Sequence, residues 1–283
     1  MMLARSFNTP ADAYIGVVAD LLMAGEQVWG RTQDTKELLG YSFSVKNPTT
    51  VLGLYAPHES RRLNPAIGAL EALQLVGQVS LPEVHVARVG VFENWLDHGI
   101  FEGAYGQRVH GQLRHLVANL GDDLTSRQAV LSIYDARRDL NAESMDIPCT
   151  LTLQFFVRRE RLIMRTSMRS NDAWRGLPYD MTQFIALQAA VAADLGLPLG
   201  EYQHTVGSMH LYESDWRDAL VLANSEAQVV EPEDELFPVA GLDELSRWAR
   251  LSLVDPTSPH EGETKFQTWL RQSTIKNRRM PRG

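Results

Sequence analysis

The sequence of 283 residues contains a single cysteine, Cys149. One cysteine cannot form an intramolecular disulfide, and the chain has no Cys-x-x-Cys motif or Cys/His cluster that would suit zinc. This scarcity excludes a small secreted domain held together by disulfides, and we predict no metal site. It is typical of proteins from a reducing compartment, so the cytoplasm is the expected location.

Positive charge is also in short supply. The chain carries 27 Lys and Arg residues against 35 Asp and Glu, which gives a formal net charge of −8. We therefore expect no global attraction to nucleic acid or to anionic membranes, and neither is predicted as a partner. The sequence also lacks an unbroken run of about 18 apolar residues, the signal of a transmembrane helix. The apolar N-terminal segment is interrupted by Asp12 and Asp20.

The composition that remains, with 44% hydrophobic and 22% charged residues, is that of a globular chain able to bury a sizeable core. We found no internal repeat and no convincing linker, so a single domain over residues 1–283 is predicted. The stretch from about residue 225 differs in composition, being acidic, then proline-bearing, then basic. Its end is expected to be ordered only in part.

Hydrophobic periodicity and turn residues predict a mixed α+β order. Thr9 and Pro10 have the character of an N-cap and a first-turn proline. The predicted helices cover residues 10–25, 64–77, 109–123 and 181–197. The predicted strands cover residues 37–45, 128–136, 148–159, 161–170 and 201–216.

Cys149 has two interpretations from the residues alone. Free cysteine is among the most buried residue types, which favours a small hydrophobe in the core. Yet Cys149 follows Pro148 at the start of the strand pattern "CTLTLQFFV", where a side chain can face a cleft. Arginines elsewhere in the chain could hold it as a thiolate nucleophile.

The segment "MRSNDAWRGLPYD" carries further candidates. Arg169 and Ser170 could bind a phosphate through a guanidinium fork and a hydroxyl, or could simply end a solvated strand. Asp180 could cap the helix that follows or serve a ligand, and both interpretations stay open. His210 and Tyr212 share one face of a strand, where histidine is more often structural than ligand-binding.

Together these segments resemble the thymidylate synthase superfamily over roughly residues 10–220. "DIPCTLTLQFFV", "MRSNDAWRGLPYD", "EYQHTVGSMHLYESDW", "FEGAYGQRV" and "TSR" occur in the order and near the spacings of that family. "CTLTLQ", "IYDARRD" and "MRSND" most resemble its deoxycytidylate and cytidylate 5-hydroxymethylase branch. The resemblance implies an α+β fold with a large twisted mixed sheet covered by helices. It also implies a homodimer whose sheets pack face to face.

The resemblance further implies a folate-dependent reaction. Cys149 would add as a thiolate to C6 of a pyrimidine nucleoside monophosphate, and C5 would then take a one-carbon unit from 5,10-methylenetetrahydrofolate. Glu71 matches a glutamate that organises proton transfer, and Tyr105 a tyrosine near the proton lost from C5.

Binding roles are implied for a second group of residues. The phosphate would be held by arginines and a serine, including one arginine that reaches the partner's site, and the sugar hydroxyl by a histidine and a tyrosine. These substrate-binding residues are Arg31, Arg127 (across the dimer), Arg169, Ser170, His210 and Tyr212. Folate would contact Asp172, Trp95 and Phe92, the last of which stands where the synthases carry tryptophan.

Asp180 stands where the synthases carry asparagine, and this difference concerns the base. Uracil offers an N3–H donor and an O4 acceptor, which suit an amide. Cytosine offers an N3 acceptor and a 4-amino donor. A carboxylate accepts from the amino group, can share a proton with N3 and repels O4, so a cytidine nucleotide is expected.

The predicted function is therefore a cytidylate 5-hydroxymethylase in which water completes the reaction, with dCMP preferred and CMP possible. The synthases' apolar C-terminal tail, which excludes water, has no counterpart in "NRRMPRG". One alternative is a methylase that finishes by hydride transfer from folate. Another is an inactive homologue that binds a nucleotide or RNA.

Overall fold

The computed structural model describes residues 5–30, 33–140, 143–144, 146–227 and 241–275. The helices within these ranges are α1 Pro10–Ala24, α2 Pro65–Gly77, α3 Pro82–Arg88, α4 Tyr105–Val109, α5 Gln112–Asp122, α6 Ala136–Asp139, α7 Leu177–Asp194, α8 Trp216–Ala223, α9 Leu242–Val254 and α10 Lys265–Ser273. Short 3-10 helices cover Pro48–Tyr55, Gly90–Trp95 and Glu213–Asp215. The strands are β1 Arg5–Phe7, β2 Glu26–Trp29, β3 Asp34–Val45, β4 Val130–Ser132, β5 Thr150–Arg158, β6 Arg161–Asp172 and β7 Leu199–Tyr212.

These strands form one mixed sheet in the order β1-β3-β7-β6-β5-β4, and β2 also pairs with β3. The β5–β6 hairpin closes with two residues, Arg159 and Glu160, which both have positive φ, as the twist of a hairpin favours. Strands β6 and β7 run parallel, so the chain must cross back between them, and α7 makes that crossover. The predicted α+β fold with a large mixed sheet covered by helices is confirmed.

One face of the sheet packs against the helices, chiefly α1 and α7. Helix α7 is buried around most of its circumference, because α2 covers the side that the sheet does not. Residues along the strands alternate between this buried face and the opposite face. The opposite face carries half-buried polar side chains such as Gln154, Ser167 and Thr205. Within the described ranges, no helix is long and apolar enough to cross a membrane.

The alternation of buried and half-buried residues reverses at one level across three neighbouring strands, β3, β6 and β7. We call this reversal the kink. Up to Met168 on β6 and Val206 on β7 the even-numbered residues are buried, whereas beyond the kink Asn171 and Met209 are buried. The pairing register continues unchanged through this point. On β3 the kink coincides with Gly40, whose φ of +65° is costly for other residues.

Several predicted boundaries were wrong for local reasons. The predicted strand 128–136 is a strand only over Val130–Ser132, because Asp135 accepts the N–H of Arg137 and begins α6. The predicted helix 109–123 is divided at Gly111, whose φ is +79°. Helix α7 begins at Leu177, four residues before the predicted start, so Asp180 lies in its first turn.

The chain beyond residue 225 contributes more to the fold than predicted. Helices α9 and α10 pack against α2. The end of α10 is tied down by Arg271, which donates to both carboxylate oxygens of Glu263 at 2.7 and 2.9 Å. Residues 228–240 and 276–283 lie outside the described residues. The prediction of partial order at the end of the chain falls on the second of these ranges.

A buried ion pair anchors α4. Arg108 donates to Asp139 through two bonds of 2.6 and 2.8 Å, and both side chains are about 5% exposed or less. Arg108 also donates to the backbone carbonyls of Glu102 and Ile133. Asp139 accepts the N–H of Asp135 as well. The pair therefore joins α4 to the chain segment after β4.

We predict that Asp139→Ala lowers the free energy of unfolding by about 3–5 kcal/mol, because it leaves the Arg108 charge buried without a partner. Denaturant unfolding measures the loss. The control is Asp243→Ala, which removes an exposed pair with Arg114 at 3.6 Å and should cost nothing measurable. Equal effects of the two substitutions would contradict the structural role of the buried pair.

Candidate active site

The candidate site lies at the edge of the sheet where β5 begins and β6 and β7 end. Cys149 precedes β5, and its neighbour Thr150 pairs with Met168 of β6. Asp172, the last residue of β6, pairs with His210 of β7. Helix α7 starts directly after this edge. The topology therefore gathers segments that are spread over residues 149 to 210 of the sequence.

Cys149 is a half-buried free thiol that packs against the hydrophobic core. Its backbone is held by Arg169, whose N–H donates to the Cys149 carbonyl at 2.8 Å. The Arg169 guanidinium donates to the carbonyls of Pro148 and Ile147, both at 3.0 Å. Arg169 thus fixes the loop that presents the thiol, a role that the sequence did not reveal.

The groups around Cys149 shift the pKa of its thiol in opposite directions. Burial raises the pKa of the thiol, and the Arg169 guanidinium lowers it. The carboxyls of Asp180, Asp146 and Asp172 raise it further. The net direction is upward, so the thiol form predominates at neutral pH in the ligand-free protein.

Asp180 is not a helix cap. Gly176 is the N-cap of α7, and no side chain caps that end. The two carboxyl oxygens accept instead from other side chains: Oδ2 from Asn171 Nδ2 at 3.1 Å and Oδ1 from Gln183 Nε2 at 3.1 Å. Burial raises the pKa of Asp180 to about 7 even though both donors lower it.

Glu71 and Tyr105 lie in the same electrostatic neighbourhood. Gln183 Nε2 is 3.5 Å from Glu71 Oε2, so one amide bridges the carboxyls of Glu71 and Asp180. Burial, and then Asp180, raises the pKa of Glu71 to about 8. Burial also raises the pKa of Tyr105, with smaller contributions from Asp180 and Cys149. The structure therefore brings together all four predicted catalytic residues.

The residues predicted to hold the sugar also lie together. Ser170 Oγ is 3.4 Å from His210 Nδ1, and the rings of His210 and Tyr212 meet edge to face at 5.2 Å. Arg127 is exposed at the surface before β4. Arg31 lies outside the described residues.

The three predicted folate residues differ in exposure. Asp172 Oδ1 accepts the backbone N–H groups of Trp174 and Arg175 at 2.8 and 3.0 Å, and burial raises the pKa of this carboxyl. Trp95 is 58% exposed. Phe92 is buried against the rings of His85 and Phe101. Of the three, only the Trp95 indole is well exposed, whereas Asp172 is half-buried and Phe92 is buried.

The thymidylate synthase family model matches residues 14–236. This chain belongs to the thymidylate synthase family. Members of that family transfer a one-carbon unit from methylenetetrahydrofolate to a pyrimidine nucleotide. The resemblance to this family that was inferred from the sequence is thereby confirmed. In the described part of the chain, no group of His, Cys, Asp and Glu residues is arranged to hold a metal ion.

Individual relatives include two phage proteins. The chain is 28% identical to the deoxyuridylate hydroxymethyltransferase of Bacillus phage SP01 over 83% of this chain and 68% of that protein. It is 32% identical to the deoxyuridylate hydroxymethyltransferase of Pseudomonas phage M6 over 54% of this chain and 46% of that protein. It is also 28% identical to the thymidylate synthase of Bacillus licheniformis, over 51% and 56% respectively.

Three residues around the site were not predicted from the sequence. Gln183 follows Asp180 by three residues on α7, a helical spacing that could have revealed it. Asn171 lies between Ser170 and Asp172, but strict strand alternation would not place its side chain on the helix-covered face, where it contacts Asp180. His204 lies six residues before His210 and contacts Asn171 only through the packing of β6 on β7.

We predict that Cys149 reacts slowly with iodoacetamide at neutral pH, because burial raises its pKa and only the thiolate reacts. Since Cys149 is the only cysteine, mass spectrometry of the alkylated protein measures its rate directly. The rate should rise with pH through the alkaline range and level off above the usual titration of about pH 8.5. Arg169→Gln should move that midpoint upward. A wild-type midpoint at or below about pH 8.5 would contradict the upward shift.

Proposed function

We propose that this family member is a pyrimidine nucleotide 5-hydroxymethylase that acts on a cytidine monophosphate. Methylenetetrahydrofolate would supply the one-carbon unit, and water would complete the reaction. The observation that carries the choice of base is the Asp180 carboxyl, which is held at the site by two side-chain donors and caps no helix.

Asp180 suits cytosine because both of its oxygens act as acceptors toward the protein. An oxygen that already accepts from Asn171 or Gln183 keeps a second lone pair for the 4-amino group of cytosine. Its raised pKa of about 7 allows the carboxyl to share a proton with N3 as the ring becomes electron-rich. The O4 atom of uracil would meet an acceptor instead of a donor, which costs about 1–3 kcal/mol.

Cys149 would supply the nucleophile. Its Sγ would bond to C6 of the base, and C5 would become a carbon nucleophile. Arg169 supports this role, because it fixes the loop and opposes the upward shift of the thiol pKa. The bond to C6 breaks again when the 5-substituted ring regains its double bond, so the thiol is regenerated.

Glu71 and Tyr105 would handle the proton of C5. Glu71, with a pKa of about 8, can accept and return a proton near neutral pH. Tyr105 stacks on Phe184 at 6.0 Å, which fixes its ring beside the thiol and the two carboxyls. Loss of this proton would release tetrahydrofolate from the transferred carbon, and water that adds to this exocyclic carbon would then give the hydroxymethyl group without any oxidation or reduction.

The phosphate and sugar would lie on the Ser170 side of the edge. Arg31, Arg169 and Ser170 are the proposed phosphate ligands, and His210 with Tyr212 would hold the sugar hydroxyl. Asp172, Trp95 and Phe92 would line the folate side. We expect dCMP to be preferred and CMP to be used measurably, because a pocket rejects an added hydroxyl only weakly.

We also propose that the protein works as a homodimer to which Arg127 contributes across the interface. The half-buried polar face of the sheet supports this proposal, because that face has the exposure and the extent to pack against a second copy. The exposure of Arg127 near β4 agrees with a contact outside its own subunit.

The names of the phage relatives favour a second candidate, a deoxyuridylate hydroxymethylase. The experiment that separates the candidates is incubation with dCMP, CMP, dUMP or UMP and methylenetetrahydrofolate, with products identified by mass. We expect 5-hydroxymethyl-dCMP and tetrahydrofolate, and no product from Cys149→Ser. A main product from dUMP would overturn the cytidine proposal. A 5-methyl product with dihydrofolate would overturn hydroxymethylation.

We predict that Asp180→Asn shifts the preference from cytosine toward uracil nucleotides. The amide offers a donor to O4 and an acceptor to N3–H, so the ratio of kcat/KM for dCMP to that for dUMP should fall about tenfold to hundredfold. Steady-state kinetics with both nucleotides measure the ratio, and circular dichroism checks the fold. An unchanged ratio in a folded variant would reduce Asp180 to a structural residue.

A further inference from the structure

A buried chain of hydrogen bonds runs from the core of the sheet to the Asp180 carboxyl. Tyr202 OH donates to Thr166 Oγ1 at 3.2 Å and lies 2.8 Å from His204 Nδ1. His204 Nε2 is 3.3 Å from Asn171 Nδ2, and that nitrogen is 3.1 Å from Asp180 Oδ2. His204 is fully buried. Nothing in the proposed chemistry has yet used it.

The partners of His204 determine where its proton sits. Burial lowers the pKa of His204 to about 3, so the ring is neutral and has one donor and one acceptor nitrogen. Because the Tyr202 hydroxyl donates to Thr166, its oxygen is left to accept from Nδ1–H. The acceptor nitrogen is then Nε2, which faces the Asn171 carboxamide.

This arrangement fixes the orientation of Asn171. Its NH2 group lies between two acceptors, His204 Nε2 and Asp180 Oδ2, with the weak acceptor Met168 Sδ at 2.9 Å. Its Oδ1 points the other way and has no partner among the described residues. Turning the amide over would place Oδ1 against the lone pair of Nε2, which is repulsive.

We propose that His204 is a positioning residue that fixes the Asn171 carboxamide as a donor to Asp180 and thereby keeps this carboxyl an acceptor toward the base. This proposal rests on the proposed function, because it assumes that Asp180 recognises cytosine. Without Nε2, the Asn171 amide is free to turn and offer Oδ1 to Asp180. Asp180 would then carry its proton on Oδ2 and tolerate uracil better.

His204→Phe tests this role, because the ring stacks on Phe43 at 5.0 Å and phenylalanine keeps that contact while removing both nitrogens. We expect the ratio of kcat/KM for dCMP to that for dUMP to fall about tenfold, as expected for the loss of one fixed polar contact. His204→Gln is the milder second variant. If neither variant folds, the imidazole is required by the core itself and the proposal is wrong.

The matched control is Gln188→Leu. Gln188 is also a buried polar residue, but it lies on α7 and donates to the Leu162 carbonyl at 2.9 Å. It should lose stability without changing the nucleotide ratio. If it changes the ratio as much as His204→Phe does, the effect is one of general destabilisation and the proposal fails.

A double variant separates this proposal from the proposed function. If His204 acts through Asp180, His204→Phe should not change the ratio further in an Asp180→Asn background. A cytosine preference that Asp180→Asn reverses, but that folded His204→Phe leaves intact, would overturn the positioning role alone. A wild-type preference for dUMP would overturn the substrate proposal. In that case the positioning role would still be supported if His204→Phe changed the ratio in the wild-type background but not in the Asp180→Asn background.

Discussion

The arrangement of the site depends on the burial of the Asp180 carboxyl in the first turn of α7. A carboxyl in that position loses water and must find donors in the protein. Asn171 and Gln183 provide them, and Gln183 also reaches Glu71. The same burial raises the pKa of both carboxyls into the range where a proton can be exchanged near neutral pH. The proposed base recognition and the proposed proton transfer would therefore share one cause.

The sheet supplies the geometry that this carboxyl needs. The parallel pairing of β6 with β7 forces the crossover through α7, which places the start of that helix at the edge where Cys149 lies. The kink near Gly40 then turns Asn171 to the helix-covered face, while Ser170 and His210 stay half-exposed. One irregularity thus separates the residues that hold the carboxyl from those proposed to hold the sugar.

Arg169 shows how a residue can serve the fold and the chemistry together. Its guanidinium binds two backbone carbonyls ahead of Cys149 and also lowers the pKa of the thiol. These bonds thus place its charge beside the proposed nucleophile. A lysine could carry the charge but could not make the same forked contacts, since it lacks a planar fork of donors.

The sequence by itself determined the family and the order of most elements, because these depend on local patterns. It also named the candidate site residues, which stay predictions. Helix 10–25, helix 64–77 and the hairpin from residue 148 to residue 170 follow from periodicity and turn residues. Strand 128–136 was misjudged, because the capping by Asp135 competes locally with strand formation.

Only the tertiary structure showed which groups contact Asp180. As a sequence feature, an acidic residue in the first turn of a helix fits a cap as well as a ligand. The choice depends on Asn171, Gln183 and His204, which come from β6, α7 and β7. Strict strand alternation would have placed Asn171 on the wrong face, because the buried residues of β6 change from even-numbered to odd-numbered between Met168 and Asn171. Such contacts belong to packing, and no local pattern encodes them.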